Sequence, residues 1–539
     1  MGSPMLLNFT PILMKASHIL LGLFSALSIA CTGQKKELTK TPSKKPNVLI
    51  IFPDQLRRYS AGFWSEAPYK KHVVGKPDPV VTPTMDMLAK NGVVFTNAIS
   101  NFPLCSPYRG MLMSGRYPEQ NGIWNNCRIG RNESLRDDIG TIPDLFYKAG
   151  YNTSYFGKCH WLKNDPVFDK NGTYVGTTKA PGGHHVNRYD TYIPTGKPRH
   201  NIEYFYQALK DEHYNPHIYS NDPATIAGKK DGELHLPKIF SPKNEANIII
   251  DYLQNKNGQR DSDKPFCMIW SMNPPHNPWD EKNTDMDALH AHYDTDKFPE
   301  IDDAMIVRKN ADKEVAKYAR HYYANVTSSD KYIGLVIDEL KRMGALENTI
   351  VIFSSDHGEM LGSHGLEGKN VIELEAMAIP FIVHWPKGLT PGITDVLLSV
   401  PDVLPTAMGL AGLSNNIPAD IEGTDFSNLL QNPKTSNIEK PENILLMLGN
   451  SRGLYSEKYT LCLQEDKKQW DKRKGKKIAK AFVYDNINDP YQLHKIELKE
   501  VPELAKKLLV DLGKQLKKTN DPWYQQRKYD DLIVYPKEK

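Results

Sequence analysis

Four short apolar runs, each stopping at residues that can carry chemistry, constrain this chain more than any other feature. "PNVLIIFPDQLRR" ends at Asp54-Gln55, "GYNTSYFGKCHW" at Lys158 and His160, "KPFCMIWSMNPPHNPW" at His276, and "NTIVIFSSDHGEMLGSHG" at Asp356-His357. Apolar runs of this length, bounded by polar residues, read as strands buried on both faces. "IPFIVHWP" is one more. Between them lie helical patterns. "TPTMDMLAKNG" has Thr82 or Thr84 as cap, Pro83 near its start and Gly92 as its stop, and "TIPDLFYK" precedes Gly150. Residues 311–343 read as a long helix, and "VPDVLPTAMGLAG" as a short one. Alternating strands and helices predict an α/β fold, a large mostly parallel or mixed sheet sandwiched by helices, over residues 46–434. Beyond it, "ILLMLGNSRGLYSEKYTLCL" and "AFVYDNINDPYQL" predict short antiparallel strands. Residues 435–539 are therefore expected to form a smaller C-terminal α+β domain closed by a Lys-rich helix.

The N-terminus reads differently. After Lys15, "ASHILLGLFSALSIAC" is too short for an ordinary spanning helix and ends in small residues before Cys31. Residues 1–31 are predicted to be an export signal resembling that of bacterial lipoproteins. The expected location is periplasmic or outer-membrane-associated, with the membrane touched only through a lipid anchor. Residues 32–45 have little to bury and are predicted to be a flexible linker. A net charge of +4 over 539 residues, without a finger, homeodomain or glycine-rich strand–helix fingerprint, gives no nucleic-acid footprint. The cysteines fall at 31, 105, 127, 159, 267 and 462, without zinc-like spacing. Setting Cys31 aside leaves five, so at least one is unpaired, and Cys105 is the candidate.

Open α/β sheets bind ligands at the carboxyl ends of their strands, so the polar clusters are expected to meet on one rim. Asp54, Gln55 and Asp356 suit a hard divalent cation such as calcium. Arg109, Lys158 and Lys369 supply positive charge for a multiply oxygenated anion. A helix starting beside Cys105 would add backbone N–H donors. Taken singly, each cluster has a plainer reading: Asp54 as a turn cap, His276 as a loop histidine, Asp356-His357 as turn chemistry. Their joint placement after strands is what argues for a site.

Cys105-Ser106-Pro107-Tyr108-Arg109, running into Gly115-Arg116-Tyr117-Pro118, resembles the signature of type I sulfatases of the alkaline-phosphatase-like superfamily. In that family the cysteine of C-x-P-x-R is converted to formylglycine. The resemblance covers nearly all of residues 46–500 and includes "NVLIIFPDQ", "TPTMDMLAKNGVVFTNA", "GYNTSYFGKCHW", "PPHNP", "SSDHGEMLGSHG" with Lys369, and "VYDNINDPYQL". It implies that Asp54, Gln55, Asp356 and His357 hold the metal, calcium or another divalent cation, with modified Cys105 adding an oxygen. Arg109 would orient the modified residue, and Lys158 and His160 would contact the sulfate and the formylglycine hydroxyl. His276 would face the leaving oxygen as general acid, and Lys369 would hold a sulfate oxygen. Two positions depart from the family's commoner pattern: Gln55 stands where a second Asp is frequent, and His357 where Asn is frequent. Imidazole is a softer companion for calcium than a carboxamide oxygen.

The chemistry explains the residue types. A sulfate ester is already anionic, so an anionic nucleophile needs cationic surroundings to approach it. The resemblance implies that one hydroxyl of the hydrated aldehyde attacks sulfur and forms a covalent sulfate adduct. Deprotonating the second hydroxyl would then expel sulfate and regenerate the aldehyde. The implied partners are a sulfated carbohydrate and a formylglycine-generating maturation enzyme. The sugar is expected because the loops between 163 and 240, with "PGGHHVNRYD", "KPRHNIEYFY" and "DEHYNPHIYSND", mix rings with His, Asn and Asp. Packing alone would use the same residues. Two alternatives stand beside this reading: a formylglycine-dependent phosphonate monoester or phosphodiester hydrolase, and a non-catalytic glycan-binding surface lipoprotein.

Overall fold

The computed structural model describes residues 45–128, 131–163, 190–209, 213–294, 315–465 and 478–536. The expected export signal, its lipid anchor at Cys31 and nearly all of the expected linker lie outside the described residues. The described residues belong to one compact unit.

Strand β1 (Asn47–Asp54) shows why the apolar runs behave as they do. Val48, Ile50 and Phe52 enter one core and Leu49 and Ile51 the other, so a strand covered on both faces must be apolar at every position. The other strands of the sheet are β2 (Val93–Ile99), β3 (Asn152–Gly157), β4 (Tyr204–Ala208), β5 (Ile218–Ser220), β6 (Phe266–Pro275), β7 (Thr349–Phe353), β8 (Ile382–His384) and β9 (Gly392–Ser399). Their order is β5-β4-β3-β6-β1-β7-β8-β2-β9. The pairs β3–β4, β3–β6, β1–β6 and β1–β7 are all parallel, with Ile50 opposite both Ile269 and Ile352. The carboxyl ends of β1, β3, β6 and β7 therefore share one edge. Away from this block the sheet is mixed: β8 is only three residues long and runs antiparallel to β7 and β2.

The helices follow the sequence patterns, with differences at their ends. The long helix expected over 311–343 is Ala319–Arg342, preceded by a 3-10 turn at Val315–Tyr318, and residues 311–314 lie outside the described residues. The helix Pro83–Lys90 begins after Thr82, but the Thr82 hydroxyl does not cap it. Asp330, on the long helix Ala319–Arg342, accepts from the Thr84 and Met85 N–H groups at 2.9 and 2.7 Å. The cap thus comes from a residue far away in sequence.

A second, antiparallel sheet has the order β10-β11-β12-β13-β14, with β10 (Ile444–Leu448), β11 (Ser451–Tyr455), β12 (Tyr459–Glu465), β13 (Ile478–Asp485) and β14 (Ile496–Glu497). Leu445, Met447, Leu461 and Leu463 pack in the same core as Leu508, Leu512 and Leu516 of the helix Pro502–Lys518. Ile444, Leu446 and Leu448 pack with Ile99, Met377 and Leu397. The Met447 N–H donates to Asn101 O at 2.7 Å, and Asn101 Nδ2 donates to Leu445 O at 2.9 Å. The second sheet thereby braces the segment that leads into Cys105. Among the described residues, Cys105, Cys127, Cys159, Cys267 and Cys462 are all buried and unpaired.

Candidate active site

Each residue expected at the rim follows a strand or starts a helix. Asp54 closes β1, and Gln55 then adopts φ +69°, a left-handed conformation unusual for a residue with a side chain. Lys158 follows β3, and His160 repeats the device at φ +52°. Such backbone costs of order 1–3 kcal/mol and concentrates at functional sites. His276 follows β6, while Asp356 and His357 stand shortly after β7. Cys105 is the first residue of the helix Cys105–Ser114. That helix start does not keep all its amides free: the Ser106 N–H donates to Asn126 Oδ1 at 3.1 Å.

Asp54, Cys105, Asp356 and His357, all fully buried, bring ligand atoms within 4.8 Å of one another. Cys105 Sγ lies 3.8 Å from Asp54 Oδ1 and 3.4 Å from His357 Nε2. His357 Nδ1 faces the Gly358 carbonyl at 2.9 Å, which can only accept, so Nδ1 carries the proton. Nε2 then faces Asp54 Oδ1 at 3.7 Å and Asp356 Oδ2 at 3.6 Å. Burial lowers the imidazole's pKa, but Asp356 and Cys105 outweigh it and hold it above its ordinary value. Asp356 Oδ2 accepts no hydrogen bond from any described residue. An imidazole nitrogen, a thiol sulfur and two buried carboxylates converging on one point make a donor set that a divalent cation completes. The backbone carbonyl holding the far imidazole nitrogen is the usual support of a metal-ligating histidine. The residues present fit a divalent ion.

Cations surround this group. Arg109, 1% exposed, donates from Nη1 to Lys158 O at 2.6 Å and Ser271 Oγ at 2.5 Å, and from Nη2 to Asp54 Oδ2 at 3.1 Å. Its Nη2 also pairs with Asp356 Oδ2 at 3.5 Å. The Lys158 ammonium rests on Asp54 Oδ2. Burial and Cys105 push the Asp54 carboxyl up, but Lys158, His276 and Arg109 outweigh them and hold it well below the usual range. Burial and the neighbouring Asp54 push Asp356 up to about 7. Burial alone would raise the Cys105 thiol; Lys158 and Lys369 overcome it and bring the thiol well below its ordinary value. Cys127, Cys159, Cys267 and Cys462 shift the other way, through burial.

The remaining expected residues join the same rim. Lys369 Nζ donates to Gln55 Oε1 and meets His276 Nε2 at 2.7 Å. His276 Nδ1 faces the Asn277 carbonyl at 2.7 Å and so carries a proton, leaving Nε2 to share one with the Lys369 ammonium. His160 Nε2 donates to Cys127 O at 3.1 Å, and its buried Nδ1 has no hydrogen-bond partner among the described residues. Every site residue named from the sequence stands on this rim. Arg109 and Lys158 are spent on carboxylates and backbone rather than turned outward.

Three neighbours went unremarked in the sequence. Ser271 receives Arg109, Asn126 holds the amide next to Cys105, and Glu359 accepts from Gln55 Nε2 at 2.5 Å. Glu359 lies inside the quoted "SSDHGEMLGSHG", so its place beside the rim was readable, though its contact was not. Burial pushes its carboxyl up to about 7 against the Leu361 and Gly368 N–H groups, which pull it down.

The model of the sulfatase family matches residues 46–413. The chain belongs to the sulfatase family. An endo-4-O-sulfatase from Bacteroides thetaiotaomicron is 37% identical over 517 residues, spanning 92% of this chain and 96% of the relative. An ulvan-active sulfatase from Formosa agariphila is 30% identical, spanning 96% of this chain and 90% of its own length. A solved sulfatase structure from Bacteroides thetaiotaomicron, described under the metabolism of multiple glycosaminoglycans, superposes with a TM-score of 0.81 at 36% identity over 91% of this chain and all of that one. These relatives are named for sulfate esters; neither the phosphonate or phosphodiester reading nor the non-catalytic one is favoured.

Of the loops between 163 and 240, one described segment stands away from the rim. Residues 197–203 enter the amino end of β4, beside Thr153 at the amino end of β3, opposite the reactive rim. Arg199 is held by Asp231, Tyr192 O–H and Ile193 O, and His200 by Asp144. These side chains are used in packing. Most of "PGGHHVNRYD" lies outside the described residues.

Proposed function

We propose that this sulfatase is an exported bacterial enzyme that releases inorganic sulfate from a sulfated sugar of a glycan, with Cys105 matured to formylglycine and calcium at the rim. The observation that carries the site is the buried Asp54–Asp356–His357–Cys105 group, whose ligand atoms all lie within 4.8 Å of one another. The names of the relatives, one acting on 4-O-sulfate from within a chain and one on ulvan, support a glycan over a small ester.

Asp54, Gln55, Asp356 and His357 would hold the cation. Bound there, it supplies positive charge for the sulfate oxygens, and the matured residue supplies a hydrated aldehyde as nucleophile. Arg109 and Lys158 fix Asp54 and balance its charge, keeping that buried carboxylate ionised. His160 presents its unpartnered Nδ1 as acceptor for a hydroxyl proton on residue 105. Lys369 binds a sulfate oxygen, and His276 Nε2, sharing a proton with Lys369 Nζ, delivers it to the departing sugar oxygen.

Sulfate release from a panel of sulfated mono- and oligosaccharides, measured beside a phosphodiester on the same preparation, tests the reading. Release from at least one sugar sulfate, faster than phosphodiester cleavage, is expected. Activity confined to aryl or alkyl sulfates, or faster on the phosphodiester, contradicts it.

A further inference from the structure

We infer that Glu359 is a positioning residue that sets which end of the Gln55 carboxamide faces the centre and where Lys369 stands. The inference rests on the metal-dependent reading proposed above. Glu359 is fully buried, and both its oxygens are engaged. Oε2 accepts from Gln55 Nε2 at 2.5 Å; Oε1 accepts from the N–H groups of Leu361 at 3.0 Å and Gly368 at 2.6 Å. On the other side, Gln55 Oε1 accepts from the Lys369 ammonium. The Lys369 ammonium only donates, so Gln55 Oε1 must face it and Nε2 is left to donate to Glu359; the amide has one matched orientation. Turned over, it would set nitrogen against ammonium and oxygen against carboxylate.

The backbone gives Gln55 no alternative. Its N–H donates to Asp356 Oδ1 at 2.8 Å, its carbonyl accepts from Tyr322 O–H at 2.9 Å, and its φ of +69° is fixed between them. The side-chain amide is the one part still free to choose, and Glu359 chooses for it. The same carboxylate ties down Gly368, the residue before Lys369. One buried side chain thus fixes the Gln55 amide, which the proposed function assigns to the cation, together with the residue before Lys369. This also accounts for Gln rather than Asp at position 55: an acid there would confront Glu359, whereas an amide gives it a donor.

The test uses the full chain, co-produced with a maturation enzyme, stripped of metal and titrated calorimetrically with calcium; kcat/KM on a sulfated sugar is measured in parallel. Glu359→Gln sets amide against amide and should weaken calcium binding about 10- to 100-fold, with a similar fall in kcat/KM. Glu359→Asp keeps the charge but is a methylene too short to serve both Gln55 and Gly368, and should lose as much. The swap Gln55→Glu with Glu359→Gln restores a donor–acceptor match at the parent's net charge and should regain at least about tenfold in calcium affinity over Glu359→Gln. Calcium affinity within about twofold of the parent in either single variant overturns the inference. So does a folded swap that regains nothing, or a parent that binds no calcium. Because the titration needs no turnover, a parent that binds calcium yet releases no sulfate counts against the proposed function alone, while the affinities still decide on Glu359.

Discussion

Two groups of carboxylates buried against the large sheet are treated in opposite ways. At the rim, Asp54 and Asp356 stand close together among Arg109, Lys158 and His357, and Asp356 Oδ2 meets Arg109 Nη2 at 3.5 Å without a hydrogen bond from any described residue. Against β6, Glu245 of the helix Ser241–Leu253 is also fully buried, but neutral donors fill both its oxygens: Ser241 O–H at 2.6 Å and Trp270 Nε1–H at 2.7 Å. Burial pushes Glu245 up to about 7, with the two hydrogen bonds pulling the other way. A buried acid whose oxygens are both matched has nothing left to bind and serves the fold. A buried acid held among cations, with an acceptor unspent, is arranged for something that arrives later.

The largest effect should come from breaking the rim. Asp356→Ala removes one carboxylate from the group that would hold the cation, so metal content after dialysis should fall and turnover should drop to background. Unchanged metal and turnover would reduce Asp356 to a turn residue.

His276→Ala sharpens the picture by separating proton delivery from charge. Hydrolysis of a poorly activated sugar sulfate should slow roughly 10²- to 10⁴-fold. A nitrophenyl sulfate, whose oxygen leaves unaided, should suffer much less, and the sugar profile should lose its alkaline limb. Equal losses on both substrates would remove His276 from the acid role.

The smallest effect belongs to the other carboxylate. Glu245 has a folded pKa near 7, above its ordinary 4.5, so folding favours its protonated form. The stability it contributes is complete below about pH 4.5 and is lost as pH rises through about 7, a span of order 3 kcal/mol. Glu245→Gln keeps an acceptor for Trp270 and should flatten that part of the pH dependence, with kcat/KM unchanged. Thermal unfolding of parent and variant at pH 5 and pH 8 checks this: the variant should gain relative to the parent at pH 8. Parallel pH dependences would show that Glu245 is charged at no cost.

The rim was legible because parallel strands deliver residues adjacent in sequence to one edge. Asp54, Lys158, His276 and Asp356 each follow an apolar run, and the topology does the rest. Contacts between residues distant in the chain were not legible. Glu359 meets Gln55 across 304 positions, and Asn101 meets Leu445 across 344. Asp330 caps a helix 246 positions away. No local pattern announces any of these. The rings and histidines of 197–206 misled for a different reason: packing a loop and stacking on a sugar call for the same residue types, and only their place at the amino end of β4 separates the two.

The central claim is that Cys105 serves as a precursor within a metal-holding rim that releases sulfate from a sugar. Its most direct test measures two quantities on one preparation of the chain co-produced with a maturation enzyme: the mass of the peptide bearing residue 105, and sulfate released from a sulfated oligosaccharide. The account predicts a mass lower by about 18 Da than the cysteine peptide, with sulfate release that rises with the modified fraction. Sulfate release from wholly unmodified Cys105, or none from any sulfated sugar by fully modified and metal-loaded protein, would contradict it.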